Sequence, residues 1–224
     1  MRRALDIQHL KHIYDHIAGH YDLQHAFFTA GSDHRGRKII VDQTVKTGDH
    51  VLDCGAGTGS TAFLASKKIA PGGRVTLFDL SGGLLNVAKK KAGKAGINAI
   101  MDFQTGDMHA LPFSDNQFDV VLSTYSLCPL YDPTHGAMEI YRVVKPGGLI
   151  GICHSTEPAS KFTAWLAQKI ENVVWLLPYI SLGCRSVSVL PALEQAGAQV
   201  VFKKRIGVPL WPFLLFVVKK TDNR

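Results

Sequence analysis

The sequence predicts an α/β fold built on a mostly parallel sheet, with helices on both faces and an antiparallel hairpin at its end. Three observations predict it. Between His50 and His154, apolar runs of strand length alternate with helix-length segments whose apolar residues recur every three or four positions. A loop with three glycines, Gly55, Gly57 and Gly59, directly follows the first of those runs. Near the end, two apolar runs lie too close together for a crossover helix, and such neighbours pair antiparallel.

A polar, histidine-rich opening with helical spacing and the segment "HRGRKIIVDQTV" come first, before the turn "KTGD". "HVLDC" then reads as a buried strand, "STAFLASKKIA" as a helix, "RVTLFDL" as a second strand and "GLLNVAKKKAGKAG" as a helix stopped by glycine. "AIMDFQTGD" supplies a third strand, "FDVVLSTYSL" a fourth, "PTHGAMEIYRVV" a helix and "GLIGICH" a fifth strand after the turn "KPGG". From about Glu157 the rhythm changes: "ASKFTAWLAQKIENVVWLLPYI" is helical up to Pro178, and "SVLPALEQAGA" is a further helix. "QVVFKKRI" and "PFLLFVVKK", joined through "GVPLWP", form the hairpin and bring the sheet to seven strands. The expected division is a helical segment over 1–48 and a core over 49–224, with substrate-side helices at about 157–196.

At 224 residues and 46% hydrophobic, the chain can bury the core of one domain. The net charge of +7 favours anionic surroundings. Its lysines and arginines fall in short clusters ("KKKAGK", "FKKR", "VKK") rather than one aromatic-interleaved stripe, which argues against a nucleic-acid reader. Cys54, Cys128, Cys153 and Cys184 show no C-x-x-C pair and no zinc spacing, so reduced thiols in a cytoplasmic protein are expected. The opening is too polar for a signal peptide, and no apolar tract reaches the roughly 20 residues of a membrane span. His9, His12, His16 and His20 recur at helical spacing, but without an acid or cysteine among them the expected reading is a solvated or lid-packed face, with no metal.

Glycines in "VLDCGAGTGS" imply a sharp turn or a ligand that touches the main chain. In an open α/β sheet that place, where the first strand meets its helix, is where ligands bind. Asp79 ends the second strand, where a carboxylate can accept both hydroxyls of a ribose; its alternative role is a helix N-cap. The loop is not the dinucleotide pattern G-x-G-x-x-G, and the preceding Asp53 would repel a pyrophosphate. An acid there suits a ligand with an ammonium and a sulfonium, the description of S-adenosylmethionine.

Four ordered motifs, "VLDCGAGTG", "VTLFDLS", "GDMHALPFSDNQFDVVLST" and "RVVKPGGLI", resemble the class I S-adenosylmethionine-dependent methyltransferases over residues 49–153. The resemblance implies a Rossmann-like, seven-stranded sheet. It also implies that the backbone of Gly55, Ala56 and Gly57 underlies the methionine moiety, with Asp53 near its amino group and Ser123 at its end. Asp79 would bind the ribose, Leu80 flank the adenine, Asp107 meet the adenine amino group and Met108 pack on the ring. "YDHIAGHYD" resembles the lid of several lipid and small-molecule methyltransferases, with Tyr14 and Tyr21 facing the ligand and Arg37 pairing with the methionine carboxylate. For Tyr14 and Arg37, packing and a surface charge are the open alternatives.

The lid and core resemble the ubiquinone and menaquinone C-methyltransferases, yet the Arg-Asn pair those enzymes carry after the fourth strand is replaced by "STYSLCPLYDP". That stretch resembles bacterial phosphatidylethanolamine N-methyltransferases and the alkyl-thiol methyltransferases, whose Gly-Cys pair is matched by Gly183 and Cys184. The expectation is therefore a methyltransferase for a small, apolar or membrane-derived acceptor of the phospholipid-amine or thiol class, in transient contact with anionic membranes. The alternatives are a quinone C-methyltransferase and a catalytically silent binding subunit. No "NPPY"-type motif points to a nucleic-acid base. His154, at the end of the fifth strand, is the candidate base or substrate contact, against a hydrogen-bonded structural histidine. Cys128 and Cys184 read as buried hydrophobes.

Overall fold

The computed structural model describes residues 5–29 and 31–221, without the side chains of Phe27 and Phe28. Residues 1–4, Ala30 and residues 222–224, which fall inside the expected lid and core segments, lie outside the described residues. The chain opens with α1 (Ile7–Ile17), α2 (Tyr21–Thr29) and α3 (Ser32–Thr44). Asp6 caps α1 by accepting the His9 N–H at 2.9 Å, satisfying one of the helix's free donors. Leu10, Ile13 and Ile17 form its single buried stripe.

The alternating part follows as β1 (His50–Cys54), α4 (Ser60–Ile69), β2 (Arg74–Asp79), α5 (Gly82–Lys94), β3 (Met101–Thr105) and β4 (Phe118–Thr124). Next come α6 (Pro133–Val143), β5 (Val144–Ser155), α7 (Lys161–Val174), α8 (Pro178–Ser181) and α9 (Leu190–Gln195). The chain ends with β6 (Ala198–Val208) and β7 (Trp211–Lys220). The strands form one seven-stranded sheet in the order β3-β2-β1-β4-β5-β7-β6. Neighbours among β1 to β5 are parallel, whereas β7 runs antiparallel to both β5 and β6. The expected fold is therefore the observed one. The direction of winding switches between β1 and β4, which opens a crevice at their carboxyl ends.

Both faces of the sheet are covered, and the period of two along each strand divides the core. Val51, Val120 and Val217 pack with Ile40 and Val41 of α3, Ala62 and Ala65 of α4, and Ala88 of α5. Leu52, Val121 and Val218 pack on the other side with Ile140 of α6 and Leu193 of α9. Full burial of each such aliphatic side chain contributes about 1.5–3 kcal/mol, so α3 is held as firmly as the helices of the alternating part. It packs against the sheet even though it lies within the segment expected as a separate helical unit.

Two elements differ from expectation. The helix expected to run up to Pro178 already ends at Val174, and Pro178, which has no N–H to give to a preceding turn, opens the separate short helix α8. The hairpin strands are longer than their apolar runs, with Val208 paired to Trp211 across only two intervening residues. Exposed Lys203, Lys204 and Arg205 interrupt the apolar pattern because β6 is the sheet edge, where charge discourages further strand pairing.

Candidate active site

The three loop glycines adopt positive φ, 76° at Gly55, 55° at Gly57 and 86° at Gly59, the region that side chains disfavour. Their reasons differ. A Cβ on Gly55 would fall 2.2 Å from the Cβ of Ser126, so the loop could not approach the end of β4. A Cβ on Gly57 would meet nothing closer than 3.8 Å and would stand in a cavity of about 860 Å³, counting its open mouth. The Phe78 carbonyl accepts from the N–H groups of Gly55 and Ala56 at 2.7 and 3.1 Å, which ties the loop to β2. Gly55, Ala56 and Gly57 all border the cavity.

Asp79 accepts the Gly57 N–H on Oδ2 and the Ser81 N–H on Oδ1, each at 2.8 Å. The cap of α5 is Ser81, which accepts from Leu84, so Asp79 is left facing the cavity rather than capping the helix. An ionised carboxylate has about four acceptor positions, and two remain here, one on each oxygen. Burial raises the Asp79 carboxyl to about 6, opposed by those backbone hydrogen bonds. Leu80 borders the cavity beside it.

Asp107, Met108 and His109 form the next wall. Asp107 Oδ1 accepts the His109 backbone N–H at 2.9 Å and lies 2.7 Å from its ring Nδ1. The ring of His109 stacks on Tyr131, with centroids 3.8 Å apart and planes 21° apart. Neither His109 nor Tyr131 was expected in the site, and only the fold brings their distant sequence positions together.

At the opposite end Arg37 is buried, with Nη1 donating to Thr61 and Thr124 at 3.1 and 2.9 Å and Nε without a hydrogen-bond partner. Its Nε lies 3.9 Å from Asp33, and its guanidinium sits 5.1 Å from the centroid of the Tyr125 ring. A buried cation bordering a cavity with a donor to spare suits an anionic ligand group. Arg37 is thus not a surface charge. Tyr125 itself has φ 61°, a strained conformation for a bulky residue and one that no sequence pattern signals.

Three expected residues stand away from the cavity. Asp53 is completely buried with neither oxygen in a well-formed hydrogen bond, and burial raises its carboxyl to about 7, opposed by the charge of Arg37 and the nearby Ala62 N–H. It does not border the cavity. Ser123 lies behind Ser126, 2.6 Å between hydroxyls, and it is Ser126 that reaches the cavity while donating to the Cys54 carbonyl at 2.9 Å. His154, expected to face the ligand side, shares its strand face with Ile150 and Ile152 and is fully buried edge-on to Phe216. Its Nδ1 lies 2.8 Å from the Ser155 carbonyl, its Nε2 has no hydrogen-bond partner, and burial lowers its pKa. It borders neither this cavity nor its neighbour.

That neighbour is a wider cleft of about 2710 Å³ including its opening, walled by α7, by residues 155–158 and by the start of β7. Tyr14, Tyr21 and Tyr125 border both spaces and form the junction between them. Tyr14 donates to the Leu182 carbonyl at 3.1 Å, and burial raises all three phenols above their ordinary range. Cys128 and Cys184 border the cleft with thiols that burial holds protonated. All four cysteines are free. Among the described residues no group of three or more histidines, cysteines or acids is placed to hold a metal ion, and His12 instead stacks on His16.

Residues 2–177 match the model of the ubiE/COQ5 methyltransferase family. The chain belongs to that family. A demethylmenaquinone methyltransferase of Symbiobacterium thermophilum is 33% identical over 69% of this chain and 62% of its own length. A ubiquinone/menaquinone biosynthesis C-methyltransferase of Desulfotalea psychrophila is 39% identical over 66% of this chain and 58% of its own. The chain thus spans about three fifths of the length of these curated relatives. Among solved structures, the [4+2]-cyclase SpnF superposes with a TM-score of 0.76 at 17% identity, covering 98% of both chains. At that identity the likeness is one of fold alone, and a cyclase on this fold shows how far chemistry can vary upon it. The relatives named here belong to quinone biosynthesis, so the expected phospholipid-amine or thiol acceptor finds no support and the quinone alternative fits this ubiE/COQ5 member better.

Proposed function

We propose that the protein transfers a methyl group from S-adenosylmethionine to a ring carbon of a quinol-class acceptor. One observation carries the reading. In a chain of this family, the cavity built from the glycine loop and Asp79 shares three wall tyrosines with a second cleft that has aromatic walls. The residues present fit the cofactor. Asp79 has an acceptor position left on each oxygen for the ribose hydroxyls, Arg37 has a donor left for the methionine carboxylate, and Gly57 leaves room between them. Leu80 and Met108 would enclose the adenine, with Asp107 at its amino group. Asp53, in β1 just before the loop and away from the cavity lining, would act on the amino group at a distance and only in its ionised form, which burial disfavours.

When bound, the cofactor supplies a methyl group already activated by its sulfonium. The chain's part is then alignment and exclusion of water, which can contribute several kcal/mol to lowering the barrier. Tyr14, Tyr21 and Tyr125 set the passage between the two ligands, and their protonated hydroxyls keep it uncharged. The helices α1 and α2 serve as a lid: Asp15 accepts from the Ser81 hydroxyl at 2.5 Å and from Gly83 N–H at 3.0 Å, and Asp22 reaches Thr58 and Lys91.

An apolar acceptor is best taken from a lipid surface. Phe162, Trp165, Val173, Leu176 and Leu177 are exposed on and after α7, and the chain carries a net charge of +7. Basic residues near an anionic bilayer contribute about 1 kcal/mol each. Among the described residues no helix is long and apolar enough to cross a membrane, so contact would be peripheral. The test is a transfer assay with methyl-labelled cofactor against a demethylated quinol, phosphatidylethanolamine and an alkyl thiol, in anionic and in zwitterionic vesicles. Label should enter the quinol, faster from anionic vesicles. Label in the amine or thiol alone would overturn the acceptor, and equal rates in both vesicles would overturn the membrane contact.

A further inference from the structure

Arg185 lies in the loop after α8 and is 7% exposed. Its Nη2 donates to the carbonyls of Leu130 and Tyr131 at 2.6 and 3.2 Å, which orients the guanidinium plane. Its Nη1 has no hydrogen-bond partner. None of the ion pairs among the described residues includes Arg185, although two acids, Glu157 and Glu171, stand on other parts of the cleft wall. The side chain borders the cleft beside Cys184 and Ser186.

A buried guanidinium with neither a carboxylate nor a full set of acceptors is an unfavourable arrangement in the empty protein. The two carbonyl bonds hold a loop in place, a task that a neutral amide donor could perform. They do not account for a permanent charge next to a cleft. Arg37 in the neighbouring cavity shows the same combination of burial, polar bonds through one nitrogen and a second nitrogen without a partner. Each space thus has one buried cation at its wall.

We propose that Arg185 anchors the acceptor by an anionic oxygen carried on a flat aromatic ring. The planar fork of arginine matches two oxygens of a carboxylate or a single ring oxide, and the aromatic walls, Trp165, Trp175, Trp211 and Phe213, match the ring. The assignment rests on reading this cleft as the acceptor's, but it concerns charge recognition and not the transferred group. For a hydroxylated ring it means that the oxide form is favoured, its proton leaving to solvent through the open side of the cleft.

The test needs neither cofactor nor turnover, so its failure is separate from failure of the methyl-transfer reading. The tryptophans of the cleft report binding of 2-naphthoate and of its neutral counterpart 2-naphthamide through fluorescence quenching. The wild-type protein should bind naphthoate at least about tenfold more tightly, because hydrogen bonds to charged groups contribute more than neutral ones. Arg185→Gln should abolish the preference. Equal binding of the two probes by the wild type, or a preference that survives in Arg185→Gln, would overturn the proposal. Should that variant not fold, the Arg185 side-chain nitrogen resonances, assigned by comparison with Arg185→Lys, decide. They should move on addition of naphthoate, and unmoved resonances would overturn it equally.

Discussion

The two spaces that meet at Tyr14, Tyr21 and Tyr125 are built in opposite ways. The cavity over the glycine loop is held by strand ends and short polar bonds: Asp79 to Gly57 and Ser81, Asp15 to Ser81 and Gly83, Asp107 to His109. The cleft beside it is walled by α7, which has no buried residue and leaves Phe162 71% and Trp165 56% exposed. Preorganised polar groups suit a ligand whose structure never varies, since little ordering must follow binding. A loosely packed apolar wall suits an acceptor that arrives from elsewhere and must leave. The contrast teaches that one half of this protein is specified by hydrogen bonding and the other by shape and polarity.

The strongest way to break that comparison is to fill the preorganised half. Gly57→Val puts a branched side chain where only ligand space exists, at a φ of 55° that costs about 1–2 kcal/mol. For a chain of this size that corresponds to a loss of roughly 2–8 °C in Tm. Titration calorimetry should show S-adenosylmethionine affinity reduced more than about a hundredfold, well beyond the stability effect. Trp165→Ala, on the loose half, should leave that affinity unchanged. A folded Gly57→Val with near-normal affinity would mean the ligand lies elsewhere.

A smaller effect should come from Asp79. Asp79→Ala removes the acceptor for two ribose hydroxyls, and hydrogen bonds to charged groups contribute about 1.5–3 kcal/mol each before compensation. At least a tenfold loss of affinity is expected. The pH dependence sharpens it. With the carboxyl raised to about 6, wild-type affinity should decline as pH falls through that value, and Asp79→Asn should flatten the profile. Stability of the ligand-free protein runs the other way. The native carboxyl holds its proton more tightly than the unfolded chain's, near 4, so its ionisation lowers stability as pH rises from about 4 to about 6. A wild-type binding profile flat across pH 5–7 would remove Asp79 from the ligand.

The two halves also differ in how legible they were. The loop, Asp79 and the alternation of strands and helices are local signals, since glycine, a strand-ending acid and periodicity each act within a few residues. Which side chains line the cavity depends on register. "GLIGICH" places His154 on one face with Ile150 and Ile152, and the period of two alone already assigns it to a covered face. Ser126 replaces Ser123 because the chain turns at Tyr125, whose positive φ has no sequence marker. Tyr131 and Arg185 come near the site only through tertiary packing, whereas His109 directly follows the expected Asp107 and Met108. Acceptor class is the least legible, since on the proposed reading it depends on α7 and its neighbours, where almost any apolar composition gives a similar wall.

The smallest expected effect concerns the lid. The helices α1 and α2 carry two of the three junction tyrosines, and Asp15 and Asp22 already fasten them to α5 and the glycine loop. Closure therefore has few bonds left to gain, and cofactor should slow exchange of the amide hydrogens over residues 8–29 by only about three- to tenfold, a tenfold change being 1.4 kcal/mol. The α7 amides, whose residues do not border the cofactor cavity, should exchange at the same rate with and without it. Mass-resolved hydrogen exchange with and without S-adenosylhomocysteine measures both segments in one experiment. Unchanged exchange over α1 and α2 would make them fixed walls rather than a lid. Equal slowing over α7 would show instead that the cofactor orders the acceptor cleft, and the two halves would then have to be treated as a single cooperative site.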